Sequence, residues 1–245
     1  MKLSDHVYAL DLQATLSGGQ TSIYPALILD DLQGATLVDT GMPGMQDLIE
    51  TALREAGLGV KDLRQIIITH HDLDHIGSLA VLVAASGAQV MALEQEVPYL
   101  VGDLPSQKTP SPEMRQRMLD TASPALKAYL LDPPRIAVDR VLQDGEVLPM
   151  AGGVRVVATP GHTTGHLSLF VEQDDILITG DAMTSSGGEL HGPMERATPD
   201  MPEAIRSVEK LSALPVRQIL TYHGGLVRDE ASAQLVKVSQ ALSAG

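Results

Sequence analysis

Five potential metal ligands occupy six consecutive positions of this chain, and no other feature constrains its fold as strongly. They are His70, His71, Asp72, Asp74 and His75. Carboxylates and imidazoles crowded together without a partner destabilise a fold, whereas around a divalent cation the same crowding contributes binding energy. A lone buried histidine is more often a hydrogen-bonded core residue, but a cluster of this density predicts a metal site.

The chain contains no cysteine, so neither a disulfide framework nor a thiolate-ligated zinc site can form. The available ligands are imidazole and carboxylate, a set that suits zinc, iron, manganese or cobalt.

Three further candidate ligands, His162, Asp181 and His223, share a context with the 70–75 cluster. Each follows an apolar segment that we predict to be a strand. Loops at strand ends are held rigidly by the sheet and often carry functional residues. If these strand ends lie side by side, their loops present histidine and aspartate to one shared point.

Apolar runs and amphipathic patterns alternate along the chain, which predicts an α/β protein. The predicted strands are 24–29, 35–38, 65–68, 89–93, 140–142, 146–148, 154–159, 167–172, 176–179 and 218–221. The predicted helices are 45–56, 76–85, 113–120, 125–131, one with a capping box starting at about Asp200, and 229–242. This order favours two similar halves packed sheet against sheet with helices outside.

Residues 101–138 differ from the rest of the chain, because six of the fifteen prolines fall there among short helical stretches. We expect a single domain, 1–245, carrying this segment as a proline-rich helical insertion. The insertion could form the contact of a homodimer.

The acidic composition limits the partners of the protein. The net charge is −14, which argues against nucleic-acid binding, because that requires lysine and arginine to displace counterions from phosphates. No apolar run reaches the roughly 18 residues of a membrane span, and residues 1–6 lack the pattern of a signal peptide. We therefore expect a soluble cytoplasmic protein that binds neither nucleic acid nor a membrane.

Read together, these motifs resemble the metallo-β-lactamase superfamily, whose first motif is His-x-His-x-Asp-His. The matching segments are Val38-Asp39-Thr40-Gly41, the 70–77 segment, Thr159-Pro160-Gly161-His162, Gly180-Asp181 and His223. The resemblance implies a four-layer αββα sandwich, in which two mixed β-sheets pack face to face with helices outside.

The resemblance also implies two divalent metal ions. Site one would use His70, Asp72 and His162, site two would use Asp74, His75 and His223, and Asp181 would bridge them. Asp39 resembles the carboxylate that orients ligating imidazoles from outside the ligand set. His166 is expected to be a structural hydrogen-bonding residue. Tyr222 could face either the core or the pocket, and His191 could touch the substrate or lie exposed on its loop.

The motif departs from the family pattern at one position. Asp72 stands where a histidine is usual, and His71 lies one residue out of register, so we predict Asp72 as the ligand. Zinc is the metal that the resemblance implies, but a carboxylate shifts site one towards iron or manganese.

The implied activity is that of a binuclear hydrolase, in which a metal-bound hydroxide attacks a small ester, thioester or lactone. Asp74 would ligate the second metal and orient the nucleophile as the catalytic carboxylate. The alternatives are a non-haem di-iron redox enzyme related to the flavodiiron core and a phosphodiester hydrolase. A purely structural metal site would be closed and rich in cysteine.

Overall fold

Two six-stranded sheets form the centre of the fold in the computed structural model, which describes residues 1–16 and 19–244. In chain order the strands are β1 Val7–Ala9, β2 Leu12–Leu16, β3 Gly19–Ile23, β4 Ala26–Asp30, β5 Gly34–Val38, β6 Leu63–Ile67, β7 Gln89–Leu93, β8 Arg140–Leu142, β9 Val147–Leu148, β10 Val154–Ala158, β11 Leu167–Val171, β12 Ile176–Ile178, β13 Thr184–Ser186, β14 Glu189–His191, β15 Gln218–Thr221 and β16 Gly225–Val227. The first sheet has the order β1-β4-β5-β6-β7-β8 and the second β16-β15-β12-β11-β10-β9, while β2 pairs with β3 and β13 with β14.

Helices cover the outer faces of both sheets. They are α1 Gln46–Glu55, α2 Leu73–Ile76, α3 Leu79–Ser86, α4 Val97–Leu100, α5 Pro112–Thr121, α6 Pro124–Leu131, α7 Met201–Ser212 and α8 Ala231–Ser243. The first sheet packs against α1 and α3, and the second packs against α7 and α8. The layer order is helix, sheet, sheet, helix, as predicted.

The central strands of the two sheets, such as β7, β11 and β12, are largely apolar on both faces because both faces are buried. In β6, Ile66 belongs to the apolar cluster shared with α1 and α3, while the neighbouring Ile67 belongs to the cluster between the sheets. Successive strand residues point to opposite faces, so a continuous apolar run fills two layers of core.

Strand direction brings the candidate ligands to one edge of the sandwich. Strands β5, β6 and β7 run parallel, as do β12 and β15, and β10 shares the direction of β12 because both pair antiparallel with β11. The segments after β5, β6, β10, β12 and β15 carry Asp39, the 70–75 cluster, His162, Asp181 and His223.

The predicted hairpin of 24–29 and 35–38 is confirmed, since β4 and β5 pair antiparallel. The helix predicted over 76–85 is confirmed from Leu79 onward as α3, but its start is wrong, because Ile76 ends α2 and Gly77 and Ser78 lie between the two helices. A Cβ on Gly77 would lie 2.3 Å from Pro43, and the Ser78 hydroxyl donates to the Met42 carbonyl. This close packing of Gly77 and Ser78 on residues 42 and 43 ends α2.

The capping box predicted at Asp200 is only half formed. The Asp200 side chain accepts a hydrogen bond from the Glu203 backbone amide, but the Glu203 carboxylate pairs with Arg206. Strands β1, β2, β3, β13, β14 and β16 are not among the predicted strands. In β3 the exposed polar residues carry little strand signal.

Helices α5 and α6 lie within residues 101–138. Ser111 and Ser123 cap them by accepting hydrogen bonds from the amides of Met114 and Leu126. Across the described residues, we find no helix with the length and apolar character needed to cross a membrane. The division of the chain into one domain with an insertion stays a prediction.

Helix α1 offers a matched test of the packing, because Leu53 is fully buried and Leu48 is 46% exposed. Leu53→Ala should lower the free energy of unfolding by about 2–5 kcal/mol through loss of buried surface and an unfilled cavity. Leu48→Ala has the same helix-propensity change and should cost under about 1 kcal/mol. Urea unfolding monitored by circular dichroism measures both, and equal destabilisation would contradict this packing.

Candidate metal centre

All seven predicted ligands meet at the edge where the two sheets join. They form three overlapping groups, and within each group the ligand atoms lie within 4.8 Å of one another: His70, Asp72 and His162; His70, His75 and Asp181; and Asp74, His75 and His223. Sequence segments up to 153 positions apart, from His70 to His223, thus contribute to one cluster. Their role as ligands stays a prediction.

The first group has the donor set proposed for site one. The Nε2 atoms of His162 and His70 lie 3.0 and 3.4 Å from one Asp72 carboxylate oxygen. In the part of the protein that the structure describes, His70 Nε2 is buried and has no hydrogen-bond partner.

Asp181 lies between the two proposed sites. One of its carboxylate oxygens is 3.3 Å from His75 Nε2, and the other is 3.3 Å from the Nε2 atoms of both His162 and His223. On the far side, His223 Nε2 lies 3.2 Å from the Asp74 carboxylate. The carboxylate of Asp181 therefore occupies the position expected of a bridging ligand.

The cluster fits a pair of divalent cations. Within the described residues, His70 Nε2, His75 Nε2 and one Asp181 oxygen are buried without a hydrogen-bond partner, although buried polar atoms are nearly always paired. These unpaired atoms face the same space, and nitrogen and oxygen donors of this kind suit zinc, iron or manganese. The side chains of Asp74 and His223 are 19% and 18% exposed, so the centre opens to solvent on their side.

Asp39 holds the inner wall of the centre. It has the left-handed φ of 64° and follows β5 directly. Its carboxylate accepts hydrogen bonds from the Thr69 amide and hydroxyl, at 2.9 and 2.8 Å, and contacts His75 Nδ1 at 2.8 Å. A proton on Nδ1 leaves the lone pair of Nε2 directed into the cluster, which is the orienting contact expected of Asp39.

His166 supports the loop that carries Asp181. The ring is fully buried, Nδ1 contacts the Thr159 hydroxyl at 2.8 Å, and Nε2 accepts a hydrogen bond from the Asp181 amide at 2.9 Å. Burial lowers the pKa of His166, which keeps the ring neutral and able to accept. A Cβ on Gly180 would lie 2.8 Å from this ring, so glycine is required there.

The structure places Asp72 inside the cluster and His71 outside it. His71 Nδ1 hydrogen-bonds to the Glu96 carboxylate, and its ring stacks on Tyr99 with 4.2 Å between centroids. Asp72 has an extended backbone and precedes α2. Alternate residues of an extended segment point to opposite sides, which sends His71 away from its neighbours.

Two residues at this edge were missed by the sequence reasoning. Glu96 is fully buried, and its carboxylate also accepts hydrogen bonds from the Thr163 hydroxyl and the Gly165 amide. It lies three positions after β7, so the strand-end argument could have found it. Lys108 places its ammonium 2.5 Å from both Asp72 and His162, and nothing in the proline-rich segment signals this contact.

The two undecided aromatic positions take different places. Tyr222 faces the centre: its ring stacks on His75 with 3.8 Å between centroids, and its hydroxyl donates to the Asp74 carbonyl. His191 is exposed on β14.

The carboxylates make the centre strongly negative. Burial by itself lowers the pKa of His75, but Asp39, Asp181 and Asp74 together raise it well above its usual range. Burial also opposes protonation of His223, yet Asp181 and Asp74 raise the pKa of this histidine to about 10. Positive charge is therefore favoured at this point, whether as protons or as metal cations.

Metal affinity should depend on pH with a defined sign. Below about pH 10 the His223 ring holds a proton that it must lose before Nε2 can bind a cation. The affinity should rise between about pH 6 and about pH 8, by about tenfold per pH unit for each displaced proton. Calorimetric metal titrations in buffers of different ionisation enthalpy measure both the affinity and the number of protons displaced. His191→Ala should leave the profile unchanged, and a pH-independent affinity would contradict the prediction.

Known proteins are similar to this chain over most of its length. The sequence model of the metallo-beta-lactamase superfamily matches residues 19–223. The chain is 33% identical over 202 residues to the probable metallo-hydrolase YflN of Bacillus subtilis, which covers 77% of this chain and 74% of that protein. It is 28% identical over 163 residues to the hydroxyacylglutathione hydrolase GloC of Haemophilus influenzae, covering 66% and 67%.

A crystal structure of a metallo-beta-lactamase family protein from Thermus thermophilus has the same fold. It superposes with a TM-score of 0.71 and covers 99% of this chain and 81% of its own. At 24% identity this likeness concerns the fold alone.

Proposed function

This chain belongs to the metallo-beta-lactamase superfamily and is a metallo-hydrolase, and we propose that it hydrolyses a small ester, thioester or lactone at a centre of two divalent cations. The observation that carries the proposal is the set of buried, unpaired nitrogen and oxygen atoms facing one space at an open edge of the sandwich. A catalytic metal site differs from a structural one by such an open side.

The ligand groups divide the work between two cations. His70, Asp72 and His162 would hold one, Asp74, His75 and His223 would hold the other, and Asp181 would contact both. Cations bound there supply Lewis acidity and lower the pKa of a water molecule.

Asp74 is the carboxylate best placed to orient that water and hold its proton. Its side chain lies at the solvent opening, 3.2 Å from His223 Nε2. The Tyr222 hydroxyl fixes the Asp74 backbone carbonyl, and His75 packs against the same tyrosine ring. These contacts fix the backbone of Asp74, while its partly exposed carboxylate faces the opening through which a substrate would enter.

Two observations favour an acyl substrate. Several relatives are named hydroxyacylglutathione hydrolase, and their name denotes hydrolysis of an acyl compound. The net charge of −14 disfavours a polyanionic phosphodiester such as nucleic acid. Residues of the 101–138 segment border the centre on the side of site one, because Gln107 hydrogen-bonds to Thr164 and Lys108 contacts His162. This segment would therefore form part of the substrate pocket.

Removing the central carboxylate tests the activity. Asp181→Ala should lower kcat/KM by on the order of 10²–10³-fold or more, because it deletes the group shared by both cations. The assay uses the metal-loaded protein with thioesters, aryl esters, lactones and phosphodiesters, and thermal unfolding checks that the fold persists. Asp229→Ala, at an exposed position, should keep full activity. Full activity in Asp181→Ala, or none in the parent protein on any acyl substrate, would refute the proposal.

The carboxylate of Asp72 should influence which metal is bound. We expect the protein produced in defined medium with equal zinc, iron and manganese to carry substantial iron or manganese, because an extra carboxylate makes site one harder. Asp72→His should shift the content towards zinc. Elemental analysis measures both proteins, and two zinc ions per chain in the parent would show the prediction wrong.

A further inference from the structure

Lys108 reaches the centre from the 101–138 segment. Its ammonium lies 2.5 Å from an Asp72 carboxylate oxygen and 2.5 Å from His162 Nε2. These two atoms belong to the donor set of site one and lie 3.0 Å apart. The ammonium therefore sits against the same pair of atoms that a cation at site one would use.

The loop that carries Lys108 is held on both sides. The Gln107 amide donates to His71 Nε2 at 3.2 Å. The Gln107 side chain donates to the Thr164 hydroxyl at 2.9 Å and accepts from the Thr164 amide at 3.2 Å. His71 is in turn bonded to the buried Glu96. These hydrogen bonds fix the loop that carries Lys108, so this residue differs from a freely moving surface lysine.

The ammonium and a cation at site one exclude each other. A neutral imidazole nitrogen has one lone pair, so His162 Nε2 accepts a hydrogen bond from the Lys108 ammonium or binds a metal, but cannot do both. Two positive charges against the same carboxylate oxygen also repel each other strongly at such separations.

We propose that Lys108 is a tethered cation that competes with the metal at site one, so that site two fills first. The inference rests on the proposed metal centre and adds a loading order to it. The ligand set contains three carboxylates, Asp72, Asp74 and Asp181. One divalent cation at site two and the ammonium already supply three positive charges. A second cation must displace the ammonium, and it binds where the negative charge of the carboxylates is already largely balanced.

Metal binding itself tests the competition, without any substrate. Metal-free protein is titrated with zinc chloride in the presence of a chromogenic chelator, which resolves the affinity of each step. The parent protein should show a tight and a weak step. In Lys108→Met the weak step should tighten by about tenfold to a hundredfold, because the second zinc ion no longer has to displace the charge-assisted hydrogen bonds of the ammonium. The tight step should stay the same.

Two further variants complete the design. Lys127→Met removes an exposed lysine from α6 of the same segment and should change neither step, which separates local competition from net charge. Gln107→Ala loosens the loop without removing the ammonium. It should tighten the weak step by a smaller factor, and it serves as the test if Lys108→Met does not fold.

The possible failures are distinguishable. If both proteins bind two zinc ions and Lys108→Met leaves the weak step unchanged or weaker, the competition is refuted and the proposed metal centre stands. Equal tightening in Lys127→Met would refute it as well. If the parent and Lys108→Met both bind no metal, the proposed function falls together with the competition.

Discussion

Three carboxylates and four imidazoles face one another at the edge where the two sheets meet, with nitrogen-to-oxygen distances of 3.0 to 3.4 Å. Burial opposes protonation of His75 and His223, yet the carboxylates raise the pKa of both histidines. A folded chain keeps such a cluster only if positive charge balances it. The loops at the ends of both sheets supply the ligands that would hold metal cations. The insertion supplies the Lys108 ammonium.

A second layer of hydrogen bonds holds the ligand-bearing loops. Asp39 fixes His75 from the first sheet, and His166 fixes the Asp181 amide from the second. Glu96 joins His71 to the loop of Thr163 and Gly165. Each contact links segments far apart in the sequence, so the geometry of the centre depends on the packing of both sheets. Outer contacts of this kind orient the imidazoles and so influence metal affinity.

Much of the fold follows from local patterns. Residues 89–93, 140–142 and 218–221 form strands at the predicted bounds. In the first and last of these, an apolar run with branched side chains has few alternatives once both its faces are buried, whereas 140–142 is a largely exposed edge strand. The helix predicted over 76–85 begins only at Leu79, because the close packing of Gly77 on Pro43 separates α2 from α3. The inward position of Asp72 could also be predicted, since the register of the motif and the alternation of an extended segment agree.

The sequence by itself determined the chemical character of the centre. The identity, order and strand-end positions of its histidines and aspartates are local properties, and they are sufficient to predict that these side chains meet at one point. Only the tertiary structure decided what else meets there. Lys108 contacts residues 36 and 54 positions away, and Glu96 contacts residues 25 to 69 positions away. Glu96 follows a predicted strand, but its partners and those of Lys108 are set by the way the insertion and β7 pack over the edge of the sandwich. No periodicity or motif along the chain encodes that packing.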